Sequence, residues 1–160
     1  MKHSVLLDTS FFIRLLNDED PLHINARNYY KYFLENEIIL KISTITIAEY
    51  CVVGKLLDLP LKDIQIVTFN LNHAENTGRF ANIIFTENKI SKEKLFPRAI
   101  IPNDAKLFSQ ADLDESTTHF VTSDARSKKI LNILKKQTTP QFDIIDIKIL
   151  YNETYGILDL

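Results

Sequence analysis

Short apolar runs alternate along the chain with longer stretches in which apolar residues recur every three or four positions, a pattern that predicts strands and helices in turn. "SVLL" (4–7) predicts a strand, and Phe11, Phe12, Leu15 and Leu16 keep helical spacing just beyond the cap-like Thr9 and Ser10. The chain should therefore pass directly from strand to helix. Residues 20–35 predict a second helix, with Pro21 near its start and an aromatic stripe through Tyr29, Tyr30 and Phe33. "EIILKIST" (37–44) predicts the next strand, and 46–57 a helix carrying Ala48, Cys51, Val52 and Leu56 along one side. Within 62–96, "DIQIVTFNL" fits a short strand or a helix and "NHAENTGRFANIIF" a helix. Residues 87–102 turn polar and basic and are interrupted by Pro97 and Pro102, as an insertion or connection would be. A helix over 103–115, a strand over 118–124, an amphipathic helix over 125–136 and a last strand over 141–147 follow, leaving 148–160 as a C-terminal tail. This alternation predicts one α/β domain whose largely parallel sheet is wrapped by helices.

Bulk properties narrow the chemistry. With 160 residues, 45% of them hydrophobic, one domain with a real core is expected. Lys and Arg total 19 against 21 Asp and Glu, a net charge of -2. No global basic field would draw the protein to nucleic acid or to an anionic membrane, so any polyanion must meet local patches. Cys51 has no partner cysteine, which excludes an internal disulfide and a cysteine-rich zinc site and fits a reducing cytoplasm. No apolar run reaches the length of a membrane span. His3, His23, His73 and His119 are scattered without metal-ligand spacing, and Gly54, Gly78 and Gly156 stand alone, so no phosphate-cradling glycine loop exists.

In a parallel sheet the ligand crevice lies beyond the carboxyl ends of the strands. Asp8 and Asp124 stand at two such ends, while Glu49 and Asp104 fall in the first turns of helices entered from the same edge. Each acid has a local alternative. Asp8, Asp104 and Asp124 could serve as helix caps, and Thr46 with Glu49 fits a capping box. As a set they mean more, because carboxylates about 5 Å apart repel by roughly 3 kcal/mol per pair at an effective dielectric near 20. A cluster of this kind needs a cation. Oxygen ligands without His or Cys suit Mg²⁺ or Mn²⁺, which activate water and stabilise the leaving oxygen of a phosphodiester. Asp112, about 12 Å along a helix from Asp104, and Asp114 are expected to be solvated.

"LLDTSFFIRLL", "STITIAEY", "NDAKLFSQA" and "FVTSD", in this order, resemble the four motif segments of the PIN-domain nucleases, and the size resembles the toxin of a VapBC-type toxin–antitoxin pair. The likeness spans roughly residues 4–147. It implies a three-layer α/β/α fold around a twisted, largely parallel sheet and metal-dependent endoribonuclease activity. Asp8, Glu49, Asp104 and Asp124 would be the catalytic and metal-binding acids, with Ser10 helping Asp8 and Thr122 beside Asp124. An antitoxin partner is implied, and an exposed part of the aromatic stripe would suit an antitoxin helix or a second copy in a homodimer. RNA would be met by Lys94 and Arg98, with Lys89 and Lys92, or by Arg126, Lys128 and Lys129. Two alternatives remain: a non-catalytic PIN-like module that binds RNA or a partner, and an aspartate-based phosphatase or phosphotransfer domain. Ser10 counts against the latter, since it stands where such phosphatases carry a second acid.

Overall fold

Val5, Leu6 and Leu7 are almost wholly excluded from solvent on both faces of the first strand, as a strand covered by helices on either side must be. The computed structural model describes residues 2–90 and 101–158. Along it run β1 (Ser4–Leu7), α1 (Thr9–Leu15), α2 (His23–Glu35), β2 (Ile39–Ser43), α3 (Thr44–Tyr50), β3 (Ile64–Val67), α4 (Leu71–Ile90), α5 (Ile101–Leu113), β4 (Thr117–Thr122), α6 (Ala125–Leu134), β5 (Asp143–Asp146) and α7 (Tyr151–Thr154). The five strands lie in the order β3-β2-β1-β4-β5, every neighbouring pair parallel. The chain thus winds outward from β1 in two directions. All carboxyl ends reach one edge, with those of β1 and β4 adjacent: Leu7 pairs with Val121.

The period-two alternation of strand side chains divides the core. Leu6 and Phe120 face one layer, where they meet Phe80, Ile84, Phe108, Leu131 and Leu134 of α4, α5 and α6. Val5, Leu7, Leu40, Ile42 and Val121 face the other, against Phe11, Phe12, Tyr29, Phe33 and Tyr50. Each such leucine or phenylalanine, fully buried, stabilises the fold by about 1.5–3 kcal/mol. No helix among the described residues is long and apolar enough to cross a membrane.

Four expectations are corrected. The helix expected over 46–57 spans only Thr44–Tyr50, and Cys51, Val52 and Leu56 are exposed. The carbonyl of Tyr50 accepts from the amides of both Val53 and Gly54, tightening the chain into a turn. Gly54 lies so close under the Tyr50 ring that a β-carbon there would collide with it. Of the stretch expected as an insertion, residues 87–90 belong to α4 and 101–102 to α5, and 91–100 lie outside the described residues. The tail is partly structured: Tyr155 stacks on Tyr32 at 4.2 Å, and the Tyr29 hydroxyl donates to the Ile149 carbonyl at 2.7 Å. Finally, Asp114 is no solvated acid. It forms an ion pair with Lys41 and accepts from the hydroxyls of Ser116 (2.8 Å) and Thr117 (2.8 Å), tying β2 to the start of β4 at the amino edge of the sheet.

Candidate active site

Asp8 follows β1 with extended backbone, and its amide donates to the Val121 carbonyl at 2.9 Å, prolonging the β1–β4 ladder by one residue. Its carboxylate makes no cap bond to α1. Instead Oδ2 accepts from Ser10 Oγ and from Thr122 Oγ1, each at 2.8 Å. Each hydroxyl has a single proton, used on Asp8, so their lone pairs accept amides: Ser123 N–H on Ser10 at 2.9 Å and Asp124 N–H on Thr122 at 3.0 Å. A closed ring of hydrogen bonds therefore joins the start of α1 to the end of β4 and fixes Asp8 relative to Asp124. Burial pushes the Asp8 carboxyl upward, against the pull of the Ser10 and Thr122 bonds, and the Asp124 charge adds to the rise.

Glu49 arrives from α3. Ser43, the residue that ends β2, caps this helix by accepting the Ile45 amide at 3.0 Å, so the capping box expected between Thr46 and Glu49 does not form. Glu49 consequently sits in the second turn, not the first, and Thr46 Oγ1 is buried without a partner. The freed Glu49 carboxylate reaches α1, where Thr9 Oγ1 donates to Oε2 at 3.0 Å; the other oxygen, Oε1, is buried and unpartnered. Burial raises this carboxyl and the Asp8 charge raises it further, while Thr9 and Lys106 pull it down.

Asp104 lies in the first turn of α5. Burial, followed by the charges of Asp8, Asp124 and Glu49, outweighs the nearby Arg126 and pushes its carboxyl up to about 7. Asp124 behaves oppositely. It caps α6 through the Arg126 amide at 2.9 Å, and the Arg126 guanidinium grips both its oxygens, Nη2 to Oδ2 at 2.8 Å and Nε to Oδ1 and Oδ2 at 3.2 and 3.1 Å. Burial alone would raise Asp124, but Arg126 and Lys148 overcome it and hold the carboxyl below the usual range.

The structure thus brings Asp8, Glu49, Asp104 and Asp124 into mutual electrostatic reach at the carboxyl edge of the sheet, with Ser10 and Thr122 directly on Asp8. Among the described residues no three His, Cys, Asp or Glu side chains already stand as a finished metal cage. Of the expected cationic contacts, Arg126 is at the site, Lys128 and Lys129 are exposed further along α6, and Lys92, Lys94 and Arg98 lie outside the described residues. Three neighbours escaped sequence reasoning: Thr9, Lys106 and Lys148. Thr9 was legible only as a cap-like residue, and both lysines become relevant only when α5 and the segment after β5 fold beside the acids.

The same architecture occurs in solved structures. VapBC2 from Rickettsia felis bound to a DNA fragment from its promoter matches with a TM-score of 0.58 and 16% identity, over 89% of this chain and 98% of that one. FitAcB from Neisseria gonorrhoeae matches with 0.58 and 13% identity, over 91% and 99%. VapBC-1 from nontypeable Haemophilus influenzae matches with 0.55 and 15% identity, over 91% and 99%. No protein-family model and no curated protein sequence matches this chain. At such identities the likeness is one of fold, and the fold is the PIN-like α/β/α sandwich expected from the sequence.

Proposed function

We propose that this chain is a Mg²⁺- or Mn²⁺-dependent endoribonuclease acting as the toxin of a toxin–antitoxin pair. The observation that carries the enzymatic reading is the convergence of Asp8, Glu49, Asp104 and Asp124 at the carboxyl edge of the sheet, where Thr9 and Thr122 link the segments that bear them and the half-buried Asp104 carboxyl, facing the other three charges, is pushed up to about 7. Acids from four separate segments have been gathered where their mutual repulsion is unfavourable, and a hard divalent cation relieves that repulsion. The donor chemistry fits the ion, being all oxygen, with Glu49 Oε1 buried and still lacking a partner.

Asp8, Asp104 and Asp124 would hold the cation, and Glu49 would join them or orient the attacking water. When bound, the cation supplies an acidified water and a counter-charge for the leaving oxygen. Ser10 and Thr122 keep Asp8 in one orientation, the preorganisation such a site needs. Lys106, Lys148 and Arg126 flank the acids and supply the local positive charge that a net charge of -2 requires for binding RNA phosphates. A phosphotransfer reading is weaker. Ser10 donates to Asp8 where a second acid would be needed, and β1 lies between β2 and β4, whereas receiver-type sheets place it between strands two and three. The toxin role and an antitoxin partner are supported by the VapBC neighbours, which are complexes.

Purified protein should cleave single-stranded RNA with Mn²⁺ and stop in EDTA, and Asp8→Asn should abolish cleavage while keeping the circular dichroism of the parent. EDTA-resistant cleavage by Asp8→Asn would refute the metal mechanism, and a folded wild type inert on RNA would leave the non-catalytic binding module as the better reading. Expression should arrest growth, with relief by Asp8→Asn; harmless expression of an active enzyme would remove the toxin role.

A further inference from the structure

Asp124 differs from its companions in already having a cation of the chain's own. The Arg126 guanidinium engages both of its oxygens at 2.8–3.2 Å, and its charge also acts on Asp104 and Asp8. A metal ion taking Asp124 as a ligand must therefore meet Arg126 first. We propose that Arg126 is the built-in counter-ion of the acidic crevice, occupying Asp124 in the metal-free protein and competing with the divalent cation for that carboxylate. The inference rests on the metal-dependent reading above.

Two features make the exchange physically reasonable. The Arg126 side chain is 45% exposed, so the guanidinium can return to water with little desolvation to undo, and ion pairs so exposed are weak. Asp124 does not depend on the fork for its orientation. The Arg126 amide holds Oδ1 at 2.9 Å and the Asp124 amide rests on Thr122 Oγ1 at 3.0 Å, and both bonds survive when the guanidinium leaves. Once released, the planar donor fork stands at the mouth of the crevice, where its geometry suits the oxygens of a phosphodiester. Arg126 is thus a positioning residue that pairs with Asp124 before metal binds and becomes available for RNA as the acids acquire their ion.

The test is calorimetric titration of the full chain with Mn²⁺ alone at low salt. Arg126→Gln, which keeps the amide that Asp124 caps, should bind Mn²⁺ about fivefold more tightly than wild type, a difference of about 1 kcal/mol. Arg126→Lys, with charge but no fork, should fall between. The gain should disappear in an Asp124→Asn background, since the coupling runs through that carboxylate. In thermal melts, Arg126→Gln should lower the metal-free Tm yet enlarge the Mn²⁺-induced rise, whereas a purely structural loss would lower both melts alike. Wild-type binding with equal or weaker binding by Arg126→Gln would overturn this proposal alone, as would a gain that persists in Asp124→Asn. No Mn²⁺ binding by any of the proteins would remove the metal reading and this inference together.

Discussion

Asp104 concentrates the site's electrostatics in one side chain. In the unfolded chain it titrates near its ordinary 3.8, and in the folded chain at about 7. Between those values the folded protein holds a proton that the unfolded chain has lost, so the stability of the metal-free form falls as pH rises through that window. Asp8 and Glu49, also raised first of all by burial, act in the same sense. Asp124, held low by Arg126 against its own burial, acts in the other: its contribution is present above the ordinary value and is lost as pH falls. Asp104→Asn should therefore melt higher than wild type at pH 8 in EDTA, by about 2–4 °C per kcal/mol of repulsion removed, and the gap should close toward pH 4. A variant that melts lower at pH 8 would show that Asp104 is stabilised by contacts and is not strained by charge. Asp8, Asp104 and Asp124 were visible in the sequence because each stands at or just inside a change of element, whereas Glu49, in the second turn of α3, stood out only beside them. Their partners Thr9 and Lys106 were not visible, since nothing local connects α1 with α3, or α5 with Glu49.

At the level of elements, the two edges of the sheet have separate tasks. The carboxyl edge collects the acids, while the amino edge is bound together by Asp114, which accepts from Lys41 and from the Ser116 and Thr117 hydroxyls. Burial would raise Asp114, but those bonds hold it below the usual range, so its contribution persists above about pH 4 and is lost in acid. The Lys41 side chain is only 12% exposed. Asp114→Ala leaves that charge with the Ser116 hydroxyl but no carboxylate and should cost about 3 kcal/mol, a fall in Tm of roughly 6–12 °C for a domain of this size. Mn²⁺ affinity should not change, because Asp114 lies at the opposite end of β4 from Asp124. A weakened Mn²⁺ affinity would mean that the two edges are coupled. The α3 boundary carries the same lesson. The apolar spacing of 46–57 suggests a continuous helix, but the turn that tucks Gly54 beneath the Tyr50 ring ends it early and Ser43, capping one turn before Thr46, starts it early, which leaves the Glu49 carboxylate free to accept from Thr9.

The whole molecule is two helical layers sharing one sheet, and its tyrosines report on only one of them. All six belong to the layer containing α1, α2, α3 and α7, whereas the layer of α4, α5 and α6 has none. Tyrosine fluorescence therefore follows one layer and far-UV circular dichroism follows both. Because β1 and β4 send side chains into each layer, the two signals should give coincident urea transitions with one midpoint. Separated midpoints would mean that the layers unfold independently.

The order of strands and helices, and the acids that end or begin them, could be read from the chain because periodicity, caps and the strand-to-helix handover are local in sequence. The contacts made across long separations could not: the stack of Tyr155 on Tyr32, the ion pair of Lys41 with Asp114, and the pull of Lys148 on Asp124. Nor could the grip of Arg126 on Asp124, although the two are near neighbours, because the choice between a solvated arginine and a paired one depends on the acids that the fold places around it. Those outcomes belong to the packed molecule, where burial and charge from distant segments decide which partner each polar group takes.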